Sequence, residues 1–161
     1  MAVYDFDIGI LGGGAAGLTI VSGAARLGTR TLLIEKEGRL GGDCLHFGCV
    51  PSKTLIKTAW GWHMAHKTKE FGLPALDLKP VDFNAVASRI RSVIGTIQKY
   101  DSVERFCSLG ARVEFGHAVF VDEHSITLNG KIYSARNWVI ATGSSPSARG
   151  SYFTWMRVSW V

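Results

Sequence analysis

Two cysteines stand close together in the first third of the chain. Cys44 and Cys49 are separated by four residues, and Val50-Pro51-Ser52-Lys53 predicts a helix start, since Pro suits a first turn and Ser can cap it. A loop of this length can bring two sulfurs together, and a helix N-terminus favours the reactive thiolate of Cys49. The pair is therefore a candidate for cycling between dithiol and disulfide.

Three other interpretations of the cysteine pair stay open. Both residues could be small buried side chains, or they could form a purely structural disulfide. With His46 they could bind a metal ion, but the C-x-H-x2-C spacing lacks a fourth ligand, so we predict no metal site. Further along, Cys107 is expected in the core, whereas His63 and His66 are expected to be solvated.

A glycine fingerprint precedes the cysteines. Gly12-x-Gly14-x-x-Gly17 follows an apolar run and opens a segment of small helix-forming residues. Gly12 permits a tight turn, Gly14 lets a pyrophosphate approach the backbone, and Gly17 allows close helix packing. Glu35 stands where an acid would accept hydrogen bonds from a ribose. The pattern predicts dinucleotide binding; the alternative is a glycine-rich turn with a surface glutamate.

The elements around the fingerprint form a βαβ unit. Asp5–Leu11 and Arg30–Ile34 are apolar runs typical of buried parallel strands, and Ala15–Leu27 has helical character. Gly38–Gly48, which holds both cysteines, is predicted to be a loop.

Two longer helices and a region of short strands follow. Helices are predicted from Val50 to about Lys69 and over Asp82–Leu109, and Asn129-Gly130 is a hairpin signal. Short strands are predicted at Arg112–Phe115, Ala118–Val121, Ser125–Leu128 and Lys131–Ser134, followed by a buried strand at Trp138–Ala141. The sequence therefore predicts an α/β fold: a Rossmann-like domain with a parallel sheet, flanking helices and a small antiparallel β-meander.

Charge and hydropathy exclude other classes of function. The 161 residues carry a net charge of +5, but the basic residues are spread along the chain, so we expect no nucleic-acid partner. No run of 18 apolar residues is present, and the N-terminal MAVYDFD is acidic where a signal peptide would be basic. We therefore expect no membrane span and a cytoplasmic location, where stable structural disulfides are unusual.

Together these motifs resemble the FAD- and NAD(P)-dependent disulfide oxidoreductases, the family of dihydrolipoamide dehydrogenase, glutathione reductase and mercuric reductase. The resemblance covers about residues 5–146. The matching segments are GGGAAG (12–17), Glu35-Lys36, GGDCLHFGCVPSKTL (41–55), Gly116-His117-Ala118 and ATGSSP (141–146). The cysteine segment is the most specific of these, and residues 81–116 look most like the mercuric reductase branch.

The resemblance implies FAD as the cofactor and a role for each site residue. Cys49 would face the flavin and Cys44 would exchange with the substrate, while Lys53 would stabilise the reduced flavin; the alternative for Lys53 is a solvated helix lysine. Other residues implied to contact FAD are Gly12, Gly14, Ala16, Gly17, Glu35, Lys36, Gly42, Asp43, Ala118, Thr142 and Gly143. The implied reaction passes electrons from NAD(P)H through FAD and the cysteine pair to a disulfide, dithiol or metal-ion substrate.

The chain also departs from the family. Family members are much longer, with a second fingerprint for NAD(P)H and an interface domain that forms a homodimer and supplies a His–Glu pair; the 161 residues contain neither. His46 stands where many relatives have Asn. We expect residues 1–146 to be an incomplete FAD-binding domain and 147–161 to be an atypical tail of possible frameshift origin. The alternatives to an active oxidoreductase are a truncated, catalytically incompetent FAD-binding fragment and a partial chain completed by another polypeptide.

Overall fold

A computed structural model describes residues 3–144. The predicted domain boundary at residue 146 and the tail at 147–161 lie outside these residues. The strands are β1 (Phe6–Leu11), β2 (Thr31–Glu35), β3 (Ala111–Phe115), β4 (Val119–Phe120), β5 (Ser125–Leu128) and β6 (Lys131–Ile140). The α-helices are α1 (Ala15–Arg26), α2 (Gly42–His46), α3 (Cys49–His66), α4 (Phe83–Gln98) and α5 (Val103–Ser108), with a 3-10 helix at Thr68–Phe71.

The strands form one mixed sheet in the order β3-β2-β1-β6-β5-β4. Strands β3, β2, β1 and β6 are parallel to one another. Ile10 of β1 is paired with Leu33 of β2 on one side and with Val139 of β6 on the other. The pairs β6-β5 and β5-β4 are antiparallel. The predicted α/β fold with a parallel sheet, helices and an antiparallel meander is confirmed.

Both faces of the parallel sheet are covered, each by a different layer. Ile10 and Leu33 point to one face, where they pack with Leu18 and Val21 of α1 and with Phe106 of α5. The alternate strand positions point to the other face, where they pack against β5 and the first half of β6; the cluster comprises Leu11, Leu32, Ile34, Ile126, Leu128 and Tyr133. All five residues of β2 are buried, because this strand lies under both layers.

Strand β6 belongs to both parts of the sheet. Its beginning pairs with β5, and its end pairs with β1, so it unites two segments that the sequence predicted as separate strands. Ser134, near the change of partner, bonds the Asp5 carboxylate through both its backbone N–H and its hydroxyl group, at 2.9 and 2.8 Å. The predicted hairpin at Asn129-Gly130 is confirmed, with positive φ at both residues.

Three sequence predictions about the helices and strands are wrong in detail. The segment predicted as a loop at Gly38–Gly48 contains the short helix α2. The long helix predicted over 82–109 is two helices, because Asp82 caps the start of α4 and Ser102 caps a new start at α5. Strand β3 pairs in parallel with β2 rather than belonging to the meander.

The prediction of a buried Cys107 is also wrong. Helix α5 has six residues, and it places Phe106 against the sheet with 1% of its surface exposed. Cys107 comes next, on the exposed side of the helix. Among the helices of residues 3–144, none has both the length and the apolar character needed to cross a membrane.

Candidate nucleotide and thiol site

A cleft of about 1020 Å³ opens at the carboxyl ends of the parallel strands β1, β2 and β6. Strand β1 lies between the other two, so connections leave it on both sides, which is where open α/β sheets bind ligands. Ten of the predicted cofactor residues line this cleft: Gly12, Gly14, Ala16, Glu35, Lys36, Gly42, Asp43, Ala118, Thr142 and Gly143. Cys44 lines it as well, so the cleft reaches the predicted redox pair.

The glycines of the fingerprint shape the turn between β1 and α1. Gly12 has a φ of +106°, and a Cβ there would collide with the carbonyl of Ala141. Gly17 does not line the cleft; a Cβ at this position would collide with the carbonyl of Gly12, so Gly17 serves helix packing. A Cβ on Gly42 would lie 2.7 Å from the Cα of Gly14. Two backbone segments thus meet without side chains between them.

The N-terminus of α1 points into this cleft. Gly14 precedes the helix without a side-chain cap, and the first turn carries no acidic residue. The first backbone N–H groups of a twelve-residue helix therefore remain available to an anion, and the helix dipole favours negative charge there. This arrangement can bind a phosphate or pyrophosphate.

Glu35 is a buried carboxylate rather than the surface residue of the alternative interpretation. Glu35 is the last residue of β2, and 7% of its surface is exposed. The backbone N–H of Gly13 donates to Oε2 at 2.6 Å, and the N–H of Glu37 donates to Oε1 at 2.8 Å. Each carboxylate oxygen can accept a further hydrogen bond, so Glu35 can hold the glycine turn and also bind hydroxyl groups.

The two cysteines lie on adjacent helices. Cys44 is in α2, and Cys49 is the first residue of α3; both are free thiols. Hydrogen bonding with the Cys49 side chain, and then burial, raise the pKa of the Cys44 thiol above its ordinary value. The backbone of Cys49 and the charge of Lys53 act in the opposite direction. The structure therefore brings the predicted redox pair together.

Lys53 lies beside the cysteines but not in the cleft. It is exposed on α3, one turn after Cys49, and its positive charge favours the thiolate of Cys44. Lys36 lines the cleft with an exposed side chain, and its Nζ lies 3.9 Å from the carboxylate of Glu37.

The sequence predictions missed several residues of the site. Gly13 and Gly41 join the turn to the cysteine segment through a 2.8 Å hydrogen bond from the N–H of Gly41 to the carbonyl of Gly13. Phe47 lines the cleft and remains 74% exposed beside His46. Adjacent glycines at both positions could have indicated the close approach of the two backbones, whereas the sequence holds no signal for the exposure of Phe47.

Comparison with known proteins identifies the class to which this site belongs. The family model described as pyridine nucleotide-disulphide oxidoreductase matches residues 6–151. The chain therefore belongs to the pyridine nucleotide-disulphide oxidoreductase family, as the sequence motifs predicted.

Two curated relatives are similar to almost the whole chain. Dihydrolipoyl dehydrogenase of Geobacillus stearothermophilus is 36% identical over 156 residues, which cover 91% of this chain and 32% of that enzyme. Mercuric reductase of Bacillus cereus is 30% identical over 145 residues, which cover 90% of this chain and 23% of that enzyme. The chain thus spans between about a quarter and a third of the length of these relatives.

A solved structure shares the fold. The Cu(II) complex of the HOCl-induced flavoprotein disulfide reductase RclA from Escherichia coli matches with a TM-score of 0.68. The match covers 92% of this chain and 30% of that one, at 24% identity. This likeness supports the α/β architecture described above.

Proposed function

We propose that the cleft binds FAD and that Cys44 and Cys49 form the redox disulfide of a flavin-dependent disulfide oxidoreductase. The observation that carries this proposal is the position of the cysteine pair at a cleft with a dinucleotide fingerprint. Relatives named dihydrolipoyl dehydrogenase and mercuric reductase support it. The substrate class is accordingly a disulfide, a dithiol or a metal ion such as mercuric ion, with NAD(P)H as the electron donor.

The residues of the cleft fit FAD. Gly12, Gly14 and Gly42 leave the backbone bare where a pyrophosphate would lie, and the start of α1 offers N–H groups and a favourable dipole. The free acceptor capacity of Glu35 suits the hydroxyl groups of a ribose. The flavin ring would lie at the end of the cleft that reaches the cysteine helices. Cys44 lines that end, whereas Cys49, the thiol that the resemblance assigned to the flavin, is exposed and does not line it.

The remaining predicted residues complete this assignment. Lys36 and Ala118 line the cleft on the Glu35 side of the sheet, where they would flank the adenosine. Thr142 and Gly143, after β6, would close the cleft over the cofactor through backbone contacts. Lys53 would contribute charge beside the cysteines.

The chemistry of the pair is thiol exchange. FAD, when bound, would supply the two-electron redox chemistry that links NAD(P)H to the Cys44–Cys49 disulfide and leaves both cysteines as thiols. The Cys44 thiolate then attacks a substrate disulfide, expelling one substrate thiolate and forming a mixed disulfide. Attack by the Cys49 thiolate on Cys44 releases the second substrate thiolate and restores the Cys44–Cys49 disulfide. The substrate is reduced by two electrons, which matches the pair supplied by NAD(P)H.

Cysteine variants of the purified chain test this proposal. Wild type and the C44S, C49S and C107S variants should all bind added FAD, measured by quenching of flavin fluorescence. Under mild oxidation, wild type and C107S should form a Cys44–Cys49 disulfide, identified by peptide mass spectrometry, whereas C44S and C49S should not. The exposed Cys107 is the matched control. A wild-type chain that neither binds FAD nor forms this disulfide contradicts the proposal.

A second candidate is FAD binding without turnover by these residues alone. It is favoured by the single dinucleotide fingerprint in the 161 residues, since NAD(P)H needs a site of its own. Oxidation of NADH or NADPH by the FAD-loaded chain separates the two candidates. Steady turnover supports the complete oxidoreductase, whereas bound flavin that stays oxidised in the presence of NAD(P)H supports the binding role.

A further inference from the structure

One peptide unit, Leu40–Gly41, connects the nucleotide turn with the cysteine segment. Its N–H, on Gly41, donates to the carbonyl of Gly13 at 2.8 Å. Its carbonyl, on Leu40, accepts two side-chain hydrogen bonds, from Nε2 of His46 at 3.0 Å and from the amide of Gln98 at 3.1 Å. Every hydrogen-bonding group of this peptide is therefore engaged, by α2 and α4 on one side and by the fingerprint on the other.

The partner defines the tautomer of His46. A carbonyl oxygen only accepts, so Nε2 carries the proton and donates to Leu40. Nδ1 is buried and has no partner among residues 3–144. The hydrogen bond to Leu40 is thus the polar contact that holds this ring in the described part of the chain.

The orientation of this peptide sets the direction in which the chain enters α2. Gly41 and Gly42 have φ values of +113° and +56°, and this left-handed pair turns the chain into the helix. The turn brings Gly42 against Gly14 in the cleft. It also places Cys44 two residues into α2, next to Cys49.

We propose that His46 and Gln98 are positioning residues that set the cleft and the thiol pair together. By holding the carbonyl of Leu40, they fix the approach of Gly42 to Gly14 and the position of Cys44. This inference rests on the proposed function, because it treats the cleft as the cofactor site and the cysteines as the redox pair.

The two donors share one acceptor, which gives the inference a distinctive signature. Removing either donor leaves the buried carbonyl of Leu40 with one hydrogen bond, whereas removing both leaves it with none. An unsatisfied buried acceptor costs more than a lost hydrogen bond. The H46L/Q98L double variant should therefore lose more FAD affinity than the losses of the two single variants added together.

The test compares H46L, H46Q and Q98L with wild type. The amide of Gln reaches about as far as Nε2 of His and keeps an N–H donor, whereas Leu does not. H63L removes an exposed histidine of α3 and is the matched control. Two quantities are measured: the Kd for FAD, by flavin fluorescence, and the equilibrium of the Cys44–Cys49 pair in glutathione buffers.

H46L should weaken FAD binding by about tenfold and shift the thiol–disulfide equilibrium, as the loss of one partly buried hydrogen bond predicts. Q98L should have at least as large an effect, because the Gln98 amide donates to the carbonyl of Asp101 as well, at 3.0 Å. H46Q and H63L should stay close to wild type. Wild-type affinity and an unchanged equilibrium in H46L would overturn the inference, as would a folded H46Q that behaves like H46L. If H46L does not fold, Q98L decides, since it removes the other donor to the same carbonyl.

The outcome also distinguishes this inference from the proposed function. A wild-type chain that binds no FAD refutes the proposed cofactor site. The thiol–disulfide equilibrium then still tests the positioning role, because it needs only Cys44, Cys49 and the glutathione buffer. A shift in H46L that is reversed in H46Q would support positioning without FAD.

Discussion

The nucleotide turn at 12–17 and the cysteine segment at 41–49 face the same cleft but are held in different ways. The turn comes after a buried strand, and its shape depends on backbone atoms packed where no side chain fits. The cysteine segment contains two helix starts without side-chain caps, and side-chain hydrogen bonds from His46 and Gln98 anchor it. The turn is therefore held mainly by close backbone packing together with the Gly13–Glu35 hydrogen bond, whereas the cysteine segment depends more on side-chain hydrogen bonds.

This difference suits the chemistry proposed for each region. A cofactor that stays bound needs a rigid cradle, and close-packed backbone provides one. A thiol pair must pass between a dithiol and a disulfide, whose sulfur–sulfur distances differ. A segment held by a few hydrogen bonds can adjust by that amount, whereas the turn cannot adjust without collision.

The largest effect should come from G17V in the turn. The new side chain would collide with the carbonyl of Gly12, and neither backbone can yield. We expect FAD binding to be lost and the free energy of unfolding to fall by at least about 2 kcal/mol, measured by fluorescence titration and urea unfolding. G23A, in the same helix, is the control. Nothing lies within 4 Å of its added Cβ, so the free energy of unfolding should rise by about 0.5 kcal/mol. FAD binding by G17V at wild-type affinity would contradict a sterically fixed turn.

A smaller effect is expected from E35Q, which keeps the shape of the side chain but removes one acceptor. Either the N–H of Gly13 or that of Glu37 would then face an amide NH₂ group. The expected cost is about 1–3 kcal/mol of unfolding free energy, with about tenfold weaker FAD binding. E37Q is the control, since the side chain of Glu37 is 71% exposed. If E35Q and E37Q behave alike, the turn does not depend on this carboxylate.

The smallest effect should come from K53M in the cysteine region. The pKa of Cys44 is raised by hydrogen bonding with Cys49 and by burial, so the reduced chain keeps this thiol protonated above the pH at which a free thiol ionises. Alkylation of Cys44, followed by peptide mass spectrometry across pH, should therefore have a raised midpoint. K53M removes a charge that lowers this pKa, so it should raise the midpoint further and slow alkylation at pH 8 by about twofold.

Lys57, one turn further along α3 and stacked on Trp60, provides the control variant K57M. Its alkylation profile should match that of wild type. A K53M midpoint equal to or below that of wild type would show that the charge of Lys53 does not lower the pKa of Cys44, which would weaken the contrast with the turn.

Much of the nucleotide half of the site could be predicted from the sequence, because local signals determine it. The βαβ unit, the glycines and the acid at the end of β2 all arise from periodicity, glycine sterics and strand length. The confirmed hairpin at Asn129-Gly130 has the same origin, since both residues tolerate positive φ.

The errors arose where distant residues decide the structure. Helix α2 forms in a glycine-rich segment that is anchored by Gln98, which lies 58 residues from Leu40. Strand β6 is continuous because two different neighbours pair with its two halves. Cys107 is exposed because the six-residue helix α5 packs Phe106, and not Cys107, against the distant sheet residues Ile10 and Leu33. None of these partners is visible in a local window of sequence.

The pairing of β6 with β1 has a consequence for synthesis of the chain. Phe6 pairs with Ala135 and Leu11 with Ile140, so β1 obtains its second neighbour only after about 130 further residues have been synthesised. Until then, the side of β1 that will later pair with β6 is an open edge of the sheet. During translation this apolar edge is open to pairing with other chains.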